Sequence, residues 1–82
     1  MILFVCVENT FRSVIAEAIF NHHAPSDWRG ESAGVKPAAE INPVAVQLLG
    51  EIEIKIAEKK PRLVTSQLVT DASRIITFGC ID

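Results

Sequence analysis

Cysteine is scarce in this 82-residue chain, and the two that occur, Cys6 and Cys80, are too few for the disulfide framework of a small secreted protein. No apolar run approaches the roughly 20 residues that span a membrane. Met1 leads directly into strand-like sequence, without the basic segment or small-residue cleavage site of a signal peptide. These absences predict a cytoplasmic protein with reactive or buried thiols and no membrane partner.

The chain also lacks a large excess of charge of either sign, since its eight basic and ten acidic residues leave a net charge of −2. Such a balance gives no reason to expect nucleic acid as a partner. Hydrophobic residues make up 49% of the chain, which is enough for a core. The length allows one small domain, so we expect a single domain over residues 1–82.

The apolar patterns that are present predict the order β-α-β-α-(α)-β. Strands are expected at residues 2–5, 29–33 and 74–78, and helices at residues 13–23, from the capping pair Asn42-Pro43 onward, and weakly at 65–70. This alternation predicts an α/β fold of three layers, with a parallel sheet, right-handed crossovers and helices on both faces.

Three stretches leave their interpretation open. Residues 52–57 alternate isoleucine with polar or small residues, which favours an extended segment that packs the isoleucines inward. The basic patch at residues 59–62 is either a solvated loop or a surface that attracts an anionic substrate. His22 and His23 suit the negative end of a helix dipole better than a metal, and we expect neither a metal nor a cofactor.

Residues 6–13, CVENTFRS, carry a C-x5-R-S motif between the first predicted strand and the first predicted helix. Chance would produce it in about 1% of such sequences. A strand, a short loop and a helix N-terminus make a natural anion site, because free backbone N–H groups and the positive end of the dipole converge there. Five intervening residues allow the backbone to curl into a nest for a tetrahedral oxyanion.

The motif assigns a chemical role to each polar side chain. Cys6 is the predicted nucleophile, a thiolate whose pKa is lowered by the helix end and by Arg12. The guanidinium of Arg12 is expected to hold two oxyanion oxygens. Ser13 is expected to donate a hydrogen bond to the sulfur, and Asn9 to brace the loop through bonds to backbone groups. The predicted oxyanion-binding residues are Val7, Glu8, Asn9, Thr10, Phe11, Arg12 and Ser13.

Two qualifications apply to this motif. The carboxylate of Glu8 would repel an anion, so we expect it to point outward. The competing interpretation of the motif makes Cys6 a buried hydrophobic residue and Arg12 a solvated helix residue.

Cys80 follows the last predicted strand much as Cys6 follows the first. The carboxyl ends of parallel strands lie at one rim of the sheet, where the ligands of such folds bind. If the two strands are neighbours, about 4.8 Å apart, the two sulfurs come within bonding range.

CVENTFRS resembles the C-x-x-N-x-x-R-S phosphate loop of the low-molecular-weight protein tyrosine phosphatase fold, which includes the thioredoxin-coupled arsenate reductases. The resemblance continues through AEAIFN, ESAG, INPVAV and RIITFGCID, and the last three look more like the arsenate reductase branch. It implies that Cys6 attacks a small oxyanion, that Arg12 binds it, and that Cys80 resolves the adduct as a disulfide for a thioredoxin-like reductant. In some members a monovalent cation binds near positions that match Asn9, Glu17 and Ser32.

The chain departs from this family toward its end. It lacks the third cysteine, the Asp-Pro segment with the general-acid aspartate, the fourth strand and the closing helix. We expect a truncated chain or a short relative completed by another subunit, with an uncovered sheet edge that favours a homodimer. Three functions stay open: an arsenate reductase, a phosphatase acting on phosphotyrosine through phosphocysteine, and an inactive oxyanion-binding fragment or module.

Overall fold

The computed structural model describes residues 1–56 and 59–78. Its elements are β1 (Ile2–Cys6), α1 (Arg12–His23), β2 (Gly30–Gly34), α2 (Pro43–Glu51), α3 (Ser66–Asp71) and β3 (Arg74–Thr77). The predicted order of strands and helices is confirmed, including the weak third helix. Cys80, the predicted resolving cysteine, lies outside the described residues.

β1 is the central strand of a three-stranded parallel sheet with the order β2-β1-β3. The register pairs Cys6 with Gly34 of β2 and Val5 with Thr77 of β3. The uninterrupted apolar sequence of β1 suits this central place, since a strand covered on both faces carries no polar alternation. The first and last strands are therefore neighbours. Cys6 is the last residue of the central strand, so it lies at the carboxyl-end rim of the sheet.

Helices cover both faces of the sheet, which confirms the predicted α/β fold. On one face Leu68 of α3 packs against the cluster that contains the fully buried Leu3. On the other face Phe4 meets Phe20 of α1, with ring centroids 5.9 Å apart. Burial of one such large apolar side chain contributes about 1.5–3 kcal/mol to stability. None of the helices in the described ranges has the length and apolar character needed to cross a membrane.

α2 begins as the sequence predicts. The side-chain oxygen of Asn42 accepts a hydrogen bond from the backbone N–H of Val44 at 2.9 Å, and Pro43 occupies the first turn. This cap satisfies one of the donors that every helix start leaves free, and such caps contribute about 0.5–2 kcal/mol.

The extended segment expected after α2 is not formed as predicted. Ile52 ends the helix and is 53% exposed, so it does not pack inward. The next residue, Glu53, adopts a left-handed conformation with φ of 65°. This turn interrupts the period-two alternation before a strand can propagate through Ile54 and Ile56, which are only partly buried.

The two edges of the sheet differ. Beyond β2, the backbone of residues 62–64 bonds to Gly34, and Leu63 forms a parallel bridge with it. β3, in contrast, pairs with β1 on one side only within the described part of the chain. All four β3 residues are exposed, including Ile75 and Ile76 at 45% and 40%. The expected uncovered edge is therefore β3.

Gly34 is the point of closest approach between β2 and the loop that follows β1. A Cβ atom there would lie 2.6 Å from the carbonyl oxygen of Val7 and 2.9 Å from the backbone nitrogen of Asn9. Both obstacles are backbone atoms, which cannot rotate away as a flexible side chain would. Only glycine lets the strand end pass so close beneath this loop.

We expect Gly34→Ala to lower the free energy of unfolding by about 1–3 kcal/mol, because the added methyl group displaces the loop backbone. Gly50→Ala is the matched control, since nothing lies within 4 Å of a Cβ at that helical position. The control should be neutral or stabilising by about 0.5–1 kcal/mol. Urea unfolding of both variants measures the difference, and equal stability of the two would refute the close approach.

Candidate functional site

The loop between β1 and α1 is held from outside by the segment that follows β2. Its carbonyl groups accept backbone hydrogen bonds of 2.8–3.2 Å, and the donor–acceptor pairs are Val35 to Cys6, Lys36 to Val7, Ala38 to Glu8 and Asn42 to Thr10. A peptide carbonyl and its N–H point in opposite directions, so tying the carbonyls outward turns N–H groups inward. This is the orientation that the predicted nest of backbone donors requires, and the N–H of Asn9 has it, since it points at Cys6 Sγ.

The Cys6 thiol lies at the end of β1, beside Ser13 in the first turn of α1. Its residue is 5% exposed, and its sulfur lies 2.8 Å from the Ser13 hydroxyl oxygen. The backbone N–H of Asn9 donates to the same sulfur at 3.2 Å. The expected contact between Ser13 and the thiol is therefore present.

Two opposing effects set the acidity of this thiol. Burial acts to raise the pKa of Cys6, because a charged sulfur loses its hydration. The Ser13 hydroxyl and the backbone N–H groups of Ser13, Asn9 and Thr10 act to lower it, since they stabilise the thiolate. Together the hydrogen bonds prevail, and the pKa lies below that of an ordinary cysteine.

The expectation that Arg12 lowers the pKa of Cys6 is not met. Arg12 is the first residue of α1 and is exposed to solvent, and it is not among the groups that lower the pKa of the thiol. Its side chain makes no ion pair with any other residue in the described ranges. Solvent screens the guanidinium from the buried sulfur, whereas the neutral donors touch it.

Asn9 holds the loop from within. It adopts a left-handed conformation with φ of 55°, which asparagine tolerates better than most residues, and it is fully buried. Its side-chain nitrogen donates to the hydroxyls of Ser13 at 2.9 Å and Ser32 at 3.0 Å. Its side-chain oxygen accepts the backbone N–H of Arg62 at 2.9 Å. The predicted bracing exists, but two of its three contacts go to hydroxyl groups. Glu8 is exposed, as expected.

The polar cluster continues away from the loop to Glu17 of α1. Ser32 donates its hydroxyl hydrogen to the Glu17 carboxylate, and Lys59 Nζ lies 2.7 Å and 2.6 Å from the two carboxylate oxygens. The residues that the family resemblance associates with a cation, Asn9, Glu17 and Ser32, are thus brought together. The ammonium group of Lys59 already supplies the positive charge there, so the cluster does not fit an additional cation.

The sequence predicts that the basic patch is either a solvated loop or a surface that attracts an anionic substrate. Lys59 and Arg62 instead form ion pairs within the protein. The side chain of Lys59 is only 20% exposed and pairs with Glu17, while Arg62 Nη2 pairs with Glu31 Oε1 at 2.5 Å. Lys60 is exposed, and the Arg62 side chain is 39% exposed despite its ion pair. Sequence reasoning missed Glu31 entirely, because no local pattern connects it to a partner 31 residues away.

The arrangement as a whole presents a buried, acidified thiol at the bottom of a ring of backbone donors. Such a sulfur can act as a nucleophile toward an electrophilic centre held in the ring. Across residues 1–56 and 59–78, no group of three or more His, Cys, Asp or Glu side chains is arranged to hold a metal ion.

Comparison with known proteins agrees with this geometry. The sequence profile of the family described as low molecular weight phosphotyrosine protein phosphatase matches residues 1–79. The chain belongs to this family. An arsenate reductase of Shouchella clausii, a relative, is 32% identical over 78 residues, which cover 95% of this chain and 55% of the relative.

Solved structures similar to this chain include an arsenate reductase and a protein tyrosine phosphatase. A thioredoxin-dependent arsenate reductase of Corynebacterium glutamicum is 38% identical, with a TM-score of 0.92 over 99% of this chain and 41% of that one. A low molecular weight protein tyrosine phosphatase from T. tengcongensis is 30% identical, with a TM-score of 0.85 over 93% of this chain and 56% of that one. These relatives are enzymes, and the chain spans about half the length of the curated relatives it matches.

We expect Ser13→Ala to raise the pKa of the Cys6 thiol, because the variant loses the side-chain hydrogen bond that favours the thiolate. Below the pKa, the rate of alkylation by iodoacetamide follows the thiolate fraction, so it should fall by about threefold to tenfold at neutral pH. Alkylation rates measured across pH in a Cys80→Ser background report on Cys6 alone. Ser26→Ala, an exposed serine beyond α1, is the control. An unchanged midpoint in Ser13→Ala would contradict the assignment.

Proposed function

We propose that this chain carries the oxyanion site of an arsenate reductase, with Cys6 as its nucleophile and Arg12 as an oxyanion ligand. The observation that carries the proposal is the Cys6 thiol, which is buried, hydrogen-bonded by Ser13 and Asn9, and lowered in pKa. The inward backbone donors of residues 7–13 would bind the tetrahedral arsenate above it.

In the proposed reaction, the Cys6 thiolate attacks the arsenic of arsenate, and one oxygen leaves as water. The Cys80 thiolate then attacks the Cys6 sulfur, so that an S–S bond forms and the S–As bond breaks. The electron pair of the broken bond stays with arsenic, which departs as arsenite. Arsenic is reduced by two electrons, and the two thiols are oxidised by two.

The register of the sheet supports Cys80 as the second thiol. β3 lies directly beside β1, and the backbone N–H of Phe78 donates to the carbonyl of Val5 at 2.9 Å. Phe78 therefore reaches the same rim as Cys6, and Cys80 follows it by two residues in the sequence. A disulfide between the two cysteines requires no third thiol from within this chain.

The cycle closes when an external dithiol reduces the disulfide, and we propose a thioredoxin-like partner for this step. The solved relative from Corynebacterium glutamicum is described as thioredoxin-dependent. A nucleophilic thiol works only while it is reduced, so we propose the cytoplasm as the compartment. We also propose that residues 1–82 act as one domain.

A phosphatase is the second candidate, supported by the likeness to the T. tengcongensis enzyme. In this reaction Cys6 would take the phosphoryl group of phosphotyrosine as phosphocysteine, which water then hydrolyses. The described residues place no aspartate beside Cys6 to protonate the leaving group, and such a general acid contributes about 10²- to 10⁴-fold. A site that binds oxyanions without turnover is the remaining alternative.

We expect arsenate to lower the intact mass of the reduced protein by about 2 Da, with one arsenite released per disulfide formed. Phosphate is the control, since it has the same shape as arsenate but is not reduced by thiols. Cys6→Ser should abolish all activity, whereas Cys80→Ser should abolish arsenate reduction and spare any hydrolysis of aryl phosphates.

The outcomes separate the candidates. Unchanged mass without arsenite would reject the reductase, and hydrolysis of an aryl phosphate by the same sample would then favour the phosphatase. Binding of phosphate without either activity would leave only the oxyanion-binding role. Equal loss of both activities in Cys80→Ser would argue against Cys80 as a resolving thiol.

We further propose that the chain forms a homodimer through the β3 edge. The strand carries exposed isoleucines on both faces and an outer row of backbone donors and acceptors that can pair with a second copy. Neighbouring copies joined this way would continue the sheet.

Sedimentation should detect a dimer that Ile76→Lys dissociates, because an edge lysine blocks strand pairing. Leu48→Lys is the control, since Leu48 has a similar exposure of 46% but lies on α2. A wild-type protein that stays monomeric at all accessible concentrations would exclude the dimer.

A further inference from the structure

A short segment, residues 59–64, crosses the outer edge of β2 and connects the two faces of the sheet. We call it the strap. At one end Lys59 pairs with Glu17 of α1. At the other, Val64 packs against the apolar cluster on the opposite face. Between them the strap bonds to the end of β2, with Gly34 N–H donating to the Arg62 carbonyl at 2.8 Å and Val64 N–H donating to the Gly34 carbonyl at 2.9 Å.

The strap fixes which way the Asn9 amide faces. The backbone N–H of Arg62 is a donor, so only the side-chain oxygen of Asn9 can meet it, and the two atoms lie 2.9 Å apart. The NH₂ group must then face the hydroxyls of Ser13 and Ser32, and each receives one of its two hydrogens.

This orientation decides the direction of the hydrogen bond at the thiol. Because the Ser13 oxygen accepts from Asn9, its own hydrogen is left to point at Cys6 Sγ, 2.8 Å away. A Ser13 hydroxyl that donates stabilises the thiolate, whereas one that accepts would stabilise the neutral thiol. If the Asn9 amide were reversed, Ser13 would donate to Asn9 instead, and the thiolate would lose that bond.

The other branch of the network enforces the same direction. Lys59 lies against both oxygens of the Glu17 carboxylate, which can only accept. Ser32 therefore donates to Glu17 and must accept from Asn9. Lys59 and Arg62 of the strap thus favour the same orientation of the buried amide.

Arg62 itself is anchored by its side chain. Its Nε donates to the Ser32 carbonyl at 2.8 Å, and its Nη2 lies 2.5 Å from Glu31 Oε1. Glu31 also pairs with Arg29, whose side chain is 76% exposed. Within the described ranges Arg29 makes no ion pair or side-chain hydrogen bond to the strap. The two arginines share one carboxylate, and among the described residues it is Arg62 that connects this carboxylate to Asn9.

We propose that Arg62, held in place by Glu31, is a positioning residue that orients the Asn9 amide so that Ser13 donates to the Cys6 thiolate. The consequence for catalysis rests on the proposed nucleophilic role of Cys6, but the effect on the thiol does not. Within the described ranges, no charged side chain of the loop, α1, β2 or the strap hydrogen-bonds to the sulfur. These charged residues are Glu8, Arg12, Glu17, Glu31, Lys59, Lys60 and Arg62, together with Arg29 just before β2.

The test is the pH dependence of Cys6 alkylation in a Cys80→Ser background. Arg62→Ala should raise the pKa of the thiol and slow alkylation at neutral pH by about threefold to tenfold. Arg29→Ala removes the other partner of Glu31 and should leave the profile unchanged. Arg62→Lys, which keeps the charge but loses the bond from Nε, should fall between the wild type and Arg62→Ala.

Glu31→Gln provides a second route to the same answer if Arg62→Ala does not fold. It removes the anchor of Arg62 without changing any residue of the loop, and it should raise the pKa of the thiol in the same direction. An unchanged profile in the folded variants, or equal shifts in Arg29→Ala and Arg62→Ala, would overturn the proposal. Alkylation needs no turnover, so a protein inactive toward arsenate and aryl phosphates would refute the proposed function without affecting this result.

Discussion

The site depends on one buried amide, the side chain of Asn9. It uses both of its donors and accepts one hydrogen bond, and in doing so it joins the loop to α1, to β2 and to the strap. A buried amide that loses a partner costs about 1–3 kcal/mol, so each element is held to the position that satisfies it. The left-handed backbone at the same residue is tolerated because these contacts compensate for it.

Neutral dipoles, rather than full charges, make the thiol acidic. The donors that touch the Cys6 sulfur are a hydroxyl and backbone N–H groups, and they outweigh the cost of burying a negative charge. Arg12 is therefore not needed to stabilise the thiolate. In the function we propose, its exposed guanidinium is free to bind the incoming oxyanion, which offsets the repulsion between that anion and the thiolate.

The three-stranded sheet positions the loop, Cys6 and the residues around them. A central β1 gives Cys6 a neighbour on each side, β2 with its glycine beneath the loop and β3 leading toward Cys80 in the sequence. The strap covers the β2 edge and reaches into the site from there. The exposed β3 edge carries no such cover in the described part of the chain, which is why a second copy of the chain is the partner we propose for it.

Local patterns were enough to predict much of this protein. The apolar run of β1, the C-x5-R-S spacing and the Asn42-Pro43 cap each act within a few residues, so the sequence by itself determined the order of elements, the parallel sheet and the loop around Cys6. It did not determine where Ile52 lies, because one left-handed residue ends the alternation.

Only the tertiary structure decided how the loop is supported. The contacts of Glu17 with Lys59 and of Glu31 with Arg62 join residues 42 and 31 positions apart, and each charge taken alone resembles a solvated surface group. The close approach at Gly34 is likewise invisible until β2 is laid beside β1. Such contacts depend on the register of strands and the path of the chain around an edge, which no local periodicity encodes.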